Sequence, residues 1–459
     1  MKRMRRFNQS MLHGPLFPSI ISYTIPIILT SLLQLLFNAA DLVIVGRYRG
    51  SLSVAAVSAT GALINLIINL FIGLSIGSGV SVAHALGGKQ HEEAQRIVHT
   101  ALPTAIVGGL IVTVVGVCFS EPLLRMMGTP ETVLPLSTLY MKIYFGGMIF
   151  TMVYNFCASI LRAAGDSKSP LIFLAFAGVV NVVLNIFFVT VFHMNVEGVA
   201  LATVASQAIS AVLVVWALMR RTDSCHLELK AIRFYKPQLL KMIRIGLPAG
   251  IQSSLFSISN VIIQSSINSF GDVLMSGNGA AGSIEGFLYV TFNAFQQTSV
   301  NFIGQNAGAK QYKRAKNVLL ICLACAITVT ITLSALIYAF GPQLLSIYIT
   351  DSQEAIQYGM IRFAYVTLPY FLCALMDVTT GGLRGLGASI TPMLISVLGV
   401  CGIRLVWIFT IFQIPAYHTP QSLYFSYPIS WTFTFIAQLT AFMIIYRKRC
   451  KNALPTQQV

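Results

Sequence analysis

The length of its uncharged apolar stretches constrains this chain more than any other feature. Gly50 to Gly88 contains no Asp, Glu, Lys or Arg, and neither does Val98 to Phe119 or Leu171 to Val191. About 20 apolar residues in helical form cross the hydrocarbon of a bilayer, so each stretch is long enough. Only 10% of the residues are charged and 56% are hydrophobic. Soluble domains carry roughly 25% charged residues, and a water-soluble globule of this length would lack the charge to cover its surface. In lipid the backbone must satisfy its own hydrogen bonds, so every span is expected to be a helix.

The apolar runs mark about twelve spans of bilayer-crossing length, at 18–45, 54–84, 98–119, 137–160, 170–192, 198–218, 239–269, 280–305, 318–340, 358–382, 390–412 and 424–446. The expected class is an all-α integral membrane protein in contact with the lipid bilayer. A net charge of +16 would suit nucleic acid, but the Lys and Arg sit in short loops between spans. There they report orientation, and no nucleic-acid partner is expected. One side collects Lys2, Arg3, Arg5, Arg6, Lys89, Arg96, Arg162, Lys168, the loop 220–244, the loop 310–316, Arg384 and the run 447–451. The other holds only Arg47, Arg49, Arg125, Lys142 and Arg362. The positive-inside rule then puts both termini in the cytoplasm, with the chain crossing the cell (inner) membrane several times. No small-residue cleavage site follows the basic N-terminus, so the first span is expected to act as the insertion signal.

The eight cysteines are scattered. Cys322 and Cys325 lie on an apolar helical run without a second pair and read as packing residues, not as a zinc or redox site. Gly73, Gly77 and Gly79 lie in a span with no P-loop Lys and read as close helix packing. No metal or cofactor is expected, and no catalytic arrangement appears in the spans, so the chain is not expected to be an enzyme.

The chain also repeats itself. Gly87-Gly88-Lys89-Gln90 recurs as Gly308-Ala309-Lys310-Gln311, and Leu161-Arg162-Ala163-Ala164-Gly165 as Leu383-Arg384-Gly385-Leu386-Gly387. The two motifs recur at offsets of 221 and 222 residues, and Pro26 and Pro248 are 222 apart. Six spans per half give both halves one orientation. The expectation is two six-helix bundles related by pseudo-two-fold symmetry about the membrane normal. Residues 1–218 form the first lobe (spans 1–6), 219–236 a cytoplasmic linker, and 237–459 the second lobe (spans 7–12). Rocking of two such lobes gives alternating access.

A charge deep in a span costs roughly 2.5–3.5 kcal/mol on insertion scales, which makes Asp41, Glu285, Asp377 and Arg404 informative. Lys142, Arg244 and Arg362 are read as close enough to span ends to snorkel toward water. Asp41 follows a long apolar run and precedes Leu42-Val43-Ile44-Val45, within the outer half of the hydrocarbon. Asn181 and Asn185 share one face of span 5. Counting ~1.5 Å per residue, Asn185 and Thr203 reach nearly the depth of Asp41, with Asn181 one turn deeper. A carboxylate, two amides and a hydroxyl at compatible depth suit a proton or a small hard cation. Glu285 and Asp377 are read as substrate contacts, secondary coupling groups or structural pairs, and Arg404 as a neutraliser of one of them.

Asn38-Ala39-Ala40-Asp41, Val45-Gly46-Arg47 and Ala55-Ala56-Val57 resemble the first-span pattern of the multidrug and toxic compound extrusion (MATE) family. Leu161 to Asp166 with Pro170 resembles it as well, as do Ile284-Glu285-Gly286-Phe287 and Phe302-Ile303-Gly304-Gln305-Asn306. The resemblance runs through nearly the whole chain. It implies a monomeric antiporter that takes up H+ or Na+ and exports amphipathic, cationic organic compounds. It also implies a cation site at Asp41, Asn181, Asn185 and Thr203, with a backbone carbonyl near Val199. Some members carry Asp where this chain has Asn185, which removes a charge and leaves H+ and Na+ both open. Burial disfavours the charged carboxylate, so ion uptake at Asp41 would neutralise it, repack the first span near Pro26 and drive release outward. Ile263 stands at the repeat position of Asp41, making the coupling one-sided. The alternative is a lipid-linked oligosaccharide flippase of the related superfamily, which would need several cations to hold a pyrophosphate. Counted along the sequence, three deep acids stand against one Arg.

Overall fold

The computed structural model describes residues 11–350 and 352–453. Lys2, Arg3, Arg5 and Arg6, on which the expected orientation partly leans, lie outside them. Among the described residues there is no strand. The helices are α1 (Leu16–Arg49), α2 (Ser51–Gly87), α3 (His91–Met126), α4 (Leu134–Gly146), α5 (Met148–Ala163), α6 (Lys168–Thr190), α7 (Val196–Met219) and α8 (Lys236–Asn268). They continue as α9 (Asp272–Gly308), α10 (Tyr312–Ala339), α11 (Gly341–Ser346), α12 (Gln353–Arg362), α13 (Tyr370–Gly385), α14 (Ile390–Ser396), α15 (Ile403–Phe409) and α16 (Pro420–Ala453).

Nine helical runs among the described residues are long and apolar enough to cross a membrane: α1, α2, α3, α6, α7, α8, α10, α14 continued through α15, and α16. Two further spans are broken. α4 and α5 meet at 47°, and α12 and α13 at 43°. The second break has a clear cause. A π-helical turn at Phe363–Thr367 leads into Pro369, which has no N–H to give to the preceding turn. The twelfth span is α9. Its 37 residues are long enough, but Asn278, Glu285, Asn293, Gln296, Gln297 and Asn301 dilute its apolar character. Every span expected from the sequence falls on one of these elements.

The helices gather into two units, one containing Ile25–Ser254 and the other the residues just before Ile25 together with Leu255 onward. In the first unit α5 packs on α2, α3 and α7, and α6 packs on α7. α2 meets the first half of α8 through glycines: a Cβ on Gly73 would lie 2.2 Å from the backbone N of Gly250, and one on Gly77 would lie 2.2 Å from the carbonyl of Met242. Only hydrogen fits between these backbones, so the glycines are packing residues. In the second unit α13 is the central helix, packed on α9, α10 and α16 and buried without interruption from Met376 to Gly385.

The repeat in sequence is a repeat in backbone. Lys89 and Lys310 both adopt left-handed φ, 55° and 58°. Around them Gln90 N–H donates to Ala85 O and Gln311 N–H to Asn306 O, both at 2.8 Å. Gly165 and Gly387 close α5 and α13 at φ 89° and 82°, and Gly50 and Gly271 open α2 and α9 at φ 84° and 93°. Glycine takes such angles without the strain a Cβ brings.

Candidate functional site

Asp41 sits in α1, the two asparagines in α6 and Thr203 in α7, and the first unit brings the four together. α1 and α6 can approach because residue 178 is glycine. A Cβ there would lie 1.8 Å from Phe37 Cε2, so the ring of Phe37 fills the space a side chain would need. One turn on along α1 and two turns on along α6, Asp41 and Asn185 meet. Asn185 Nδ2 donates to Asp41 Oδ1 at 2.5 Å and to Asn181 Oδ1 at 3.2 Å. Thr203 Oγ1 lies 3.3 Å from Asp41 Oδ2, 2.9 Å from the Val199 carbonyl and 3.4 Å from Asn181 Nδ2. The C-terminal end of α6 is pinned by Arg49, which donates to the carbonyls of Val189 and Met194 at 2.7 and 2.8 Å, a favourable place for a cation.

The cluster is dry. Asp41 is 7% exposed and Asn185 0%, and Asn185 Oδ1 is buried with no hydrogen-bond partner. A buried amide oxygen without a donor is costly. Turning that amide over presents an oxygen instead of an N–H to the carboxylate, which gives an oxygen set from Asp41, Asn181, Asn185, Thr203 and Val199 suited to a hard cation. A proton on Asp41 serves the alternative arrangement, with the amide left as it stands. Tyr140 and Tyr144 of α4 lie within electrostatic range of Asp41. Sequence counting missed them, because the bend after α4 hides their depth.

Glu285 is engaged. Arg362 donates to it through Nε at 3.1 and 3.2 Å and Nη2 at 2.6 Å, and Thr367 Oγ1 donates at 2.7 Å. Asn278 Oδ1 accepts from Arg362 Nη1 at 2.6 Å and from the Tyr424 hydroxyl at 3.0 Å. Arg362 was expected to snorkel. Instead its side chain is 12% exposed and turned into the unit, because the π turn and the bend after it aim the end of α12 at α9. Arg404 therefore does not neutralise Glu285. Its Nε donates to Ser430 Oγ at 3.0 Å and its guanidinium stacks over Tyr427, 4.0 Å from the ring centre. Arg384, expected at a cytoplasmic turn, is 4% exposed within α13 and lies in electrostatic range of Asp377. Asp377 is 6% exposed and makes no hydrogen bond or ion pair among the described residues. Among the described residues, the buried or nearly buried charges of the second unit are thus Glu285 and Asp377 with Arg362, Arg384 and Arg404, a balance that the count along the sequence did not give.

A family model described as MatE matches residues 26–187 and again 248–410. Among curated proteins the chain is 28% identical over 395 residues to the "Probable multidrug resistance protein YoeA" of Bacillus subtilis (strain 168), covering 84% of this chain and 85% of that one. It is 27% identical over 400 residues to the "Probable multidrug resistance protein YpnP" of the same strain, covering 85% and 87%. Among solved structures it is similar to a crystal structure of MATE in the straight conformation, with a TM-score of 0.86, 20% identity and 97% and 99% of the two chains covered. It is also similar to an outward-facing multidrug resistance MATE family transporter of the MOP superfamily, with a TM-score of 0.87, 19% identity and coverage of 96% and 98%. At such identity the structural likeness speaks to the fold, and that fold is the twelve-helix one.

Proposed function

The chain belongs to the MATE family, and from that premise we propose that it is a multidrug exporter of the cell membrane that exchanges H+ or Na+ for amphipathic organic compounds carrying a positive group. The observation behind this reading is the cluster of Asp41, Asn181, Asn185 and Thr203, with its buried carboxylate and its unpartnered Asn185 oxygen. A lone carboxylate in hydrocarbon is tolerated where it serves an ion pathway. Uptake of a cation from outside neutralises it, and its release inside restores the charge. Two states of α1 that differ in this charge supply the differential binding that alternating access needs.

In this reading the lobes, 1–218 and 237–459 joined by 219–236, rock about a central site, the chain works as a monomer, and both termini face the cytoplasm. Asp377 is available to the positive group of the cargo. Glu285, held by Arg362, serves the architecture of its own unit. The names of the curated relatives as multidrug resistance proteins support export of varied small molecules.

Efflux of ethidium from everted vesicles or intact cells, under proton and sodium gradients imposed separately, tests the proposal. The expected result is efflux on one or both gradients and none in Asp41→Asn, with the variant inserted at the wild-type level. Efflux that ignores both gradients, or that persists in Asp41→Asn, removes the coupling mechanism.

A further inference from the structure

Two charged side chains of the second unit are not consumed by the fold. Arg404, 4% exposed, gives its Nε proton to Ser430 and lays its flat face on Tyr427, with Trp431 5.5 Å away. Stacking uses the face of a guanidinium and leaves its edge. The terminal Nη1 and Nη2 have no acceptor among the described residues. That edge is a fixed fork of donors, matched in spacing to a carboxylate. Asp377 bears the opposite charge, is 6% exposed and makes no hydrogen bond among the described residues. Cys373, one turn earlier on α13, lies in electrostatic range of both. Glu285 and Arg362, nearby, are joined by an ion pair, and Asp377 has Arg384 in electrostatic range, whereas Asp377 and Arg404 are not brought together. They form no ion pair. Aromatic rings continue from the stacked guanidinium: Tyr427 to Trp431 at 5.7 Å, Trp431 to Tyr370 at 5.3 Å and Tyr370 to Phe292 at 5.2 Å.

We propose that this cluster is a cargo site for a zwitterion on a flat aromatic frame, with the free edge of Arg404 taking a carboxylate, Asp377 taking the cationic group and the Tyr370–Trp431 shelf taking the rings. The inference rests on the exporter reading and adds to it a negative pole on the cargo. Aromatic faces accept flat cations and rings alike, so the rings supply affinity and the two charges supply selection.

Two dyes with the same rings separate the poles. Rhodamine B carries a free carboxylate and is a zwitterion, whereas its ethyl ester is a cation. Titrated by fluorescence anisotropy into the full-length protein in lipid nanodiscs, with protein-free nanodiscs as the blank, rhodamine B is expected to bind about tenfold more tightly than the ester, as a charge-assisted fork implies. Arg404→Gln should bring rhodamine B down to the level of the ester and leave the ester unchanged. Arg404→Lys, which keeps the charge and loses the fork, should fall between. Asp377→Asn should weaken both dyes. Equal affinity of the wild type for the two dyes, no saturable binding of rhodamine B, or equal weakening of both by Arg404→Gln overturns the site, and the first two need no variant to fold. The titration uses no ion gradient. Preference for rhodamine B without gradient-driven efflux would therefore sink the exporter and leave the site, and efflux of ethidium without that preference would sink the site alone.

Discussion

Asp41 and Glu285 are both buried acids, and their neighbours give them different work. Arg362 and Thr367 fill the hydrogen-bonding capacity of Glu285, so its charge is spent on holding α9 to α12 and to the π turn. Removing one member of a buried pair strands the other, at about 3 to 5 kcal/mol. Glu285→Gln and Arg362→Met should each lower the thermal unfolding temperature in detergent, and the double variant should cost clearly less than the two together. Additive losses would mean that the contact carries no coupling energy. Asp41 has amide and hydroxyl partners but no cation. Its site was legible in the sequence because helical rise converts residue number into depth, and Asn185, Thr203 and Asp41 count to nearly the same level. The pairing of Glu285 was not legible. Arg362 lies near a span end by number, and only the local π geometry turns it inward.

At the scale of elements, the site depends on how closely α1 passes α6. The sequence shows both helices through their apolar length, but it does not show that Gly178 and Phe37 interlock, since a glycine in an apolar helix has no distinguishing signal until its neighbour is known. Gly178→Leu should push α1 away, lengthen the Asn185–Asp41 contact and cut gradient-driven ethidium efflux several-fold. Adding Phe37→Ala, which vacates the space, should restore part of it. A double variant no better than the single one would detach the close approach from coupling. α9 shows the opposite limit of sequence reading. It is the span that hydropathy marks least, because polar residues from Asn278 to Asn301 interrupt its apolar run.

For the whole molecule, the repeat was the most legible feature, since matched motifs return as matched turns at Lys89 and Lys310 and at Gly165 and Gly387. The proposed orientation rests on the Lys and Arg distribution. A cysteine placed at Ala309 in a cysteine-free background should resist an impermeant maleimide in intact cells and react in everted vesicles. Reaction in intact cells would invert the topology and with it the direction of the proposed exchange. The central claim is that cargo leaves as an ion enters, with the charge of Asp41 coupling the two, and it is tested by reversing the drive. In proteoliposomes without an ion gradient, an imposed ethidium gradient should pull protons, read by an internal pH dye, or 22Na+ in the direction opposite to the cargo in the wild type. Asp41→Asn should give no ion movement. Ion movement of wild-type size in that variant would contradict the account.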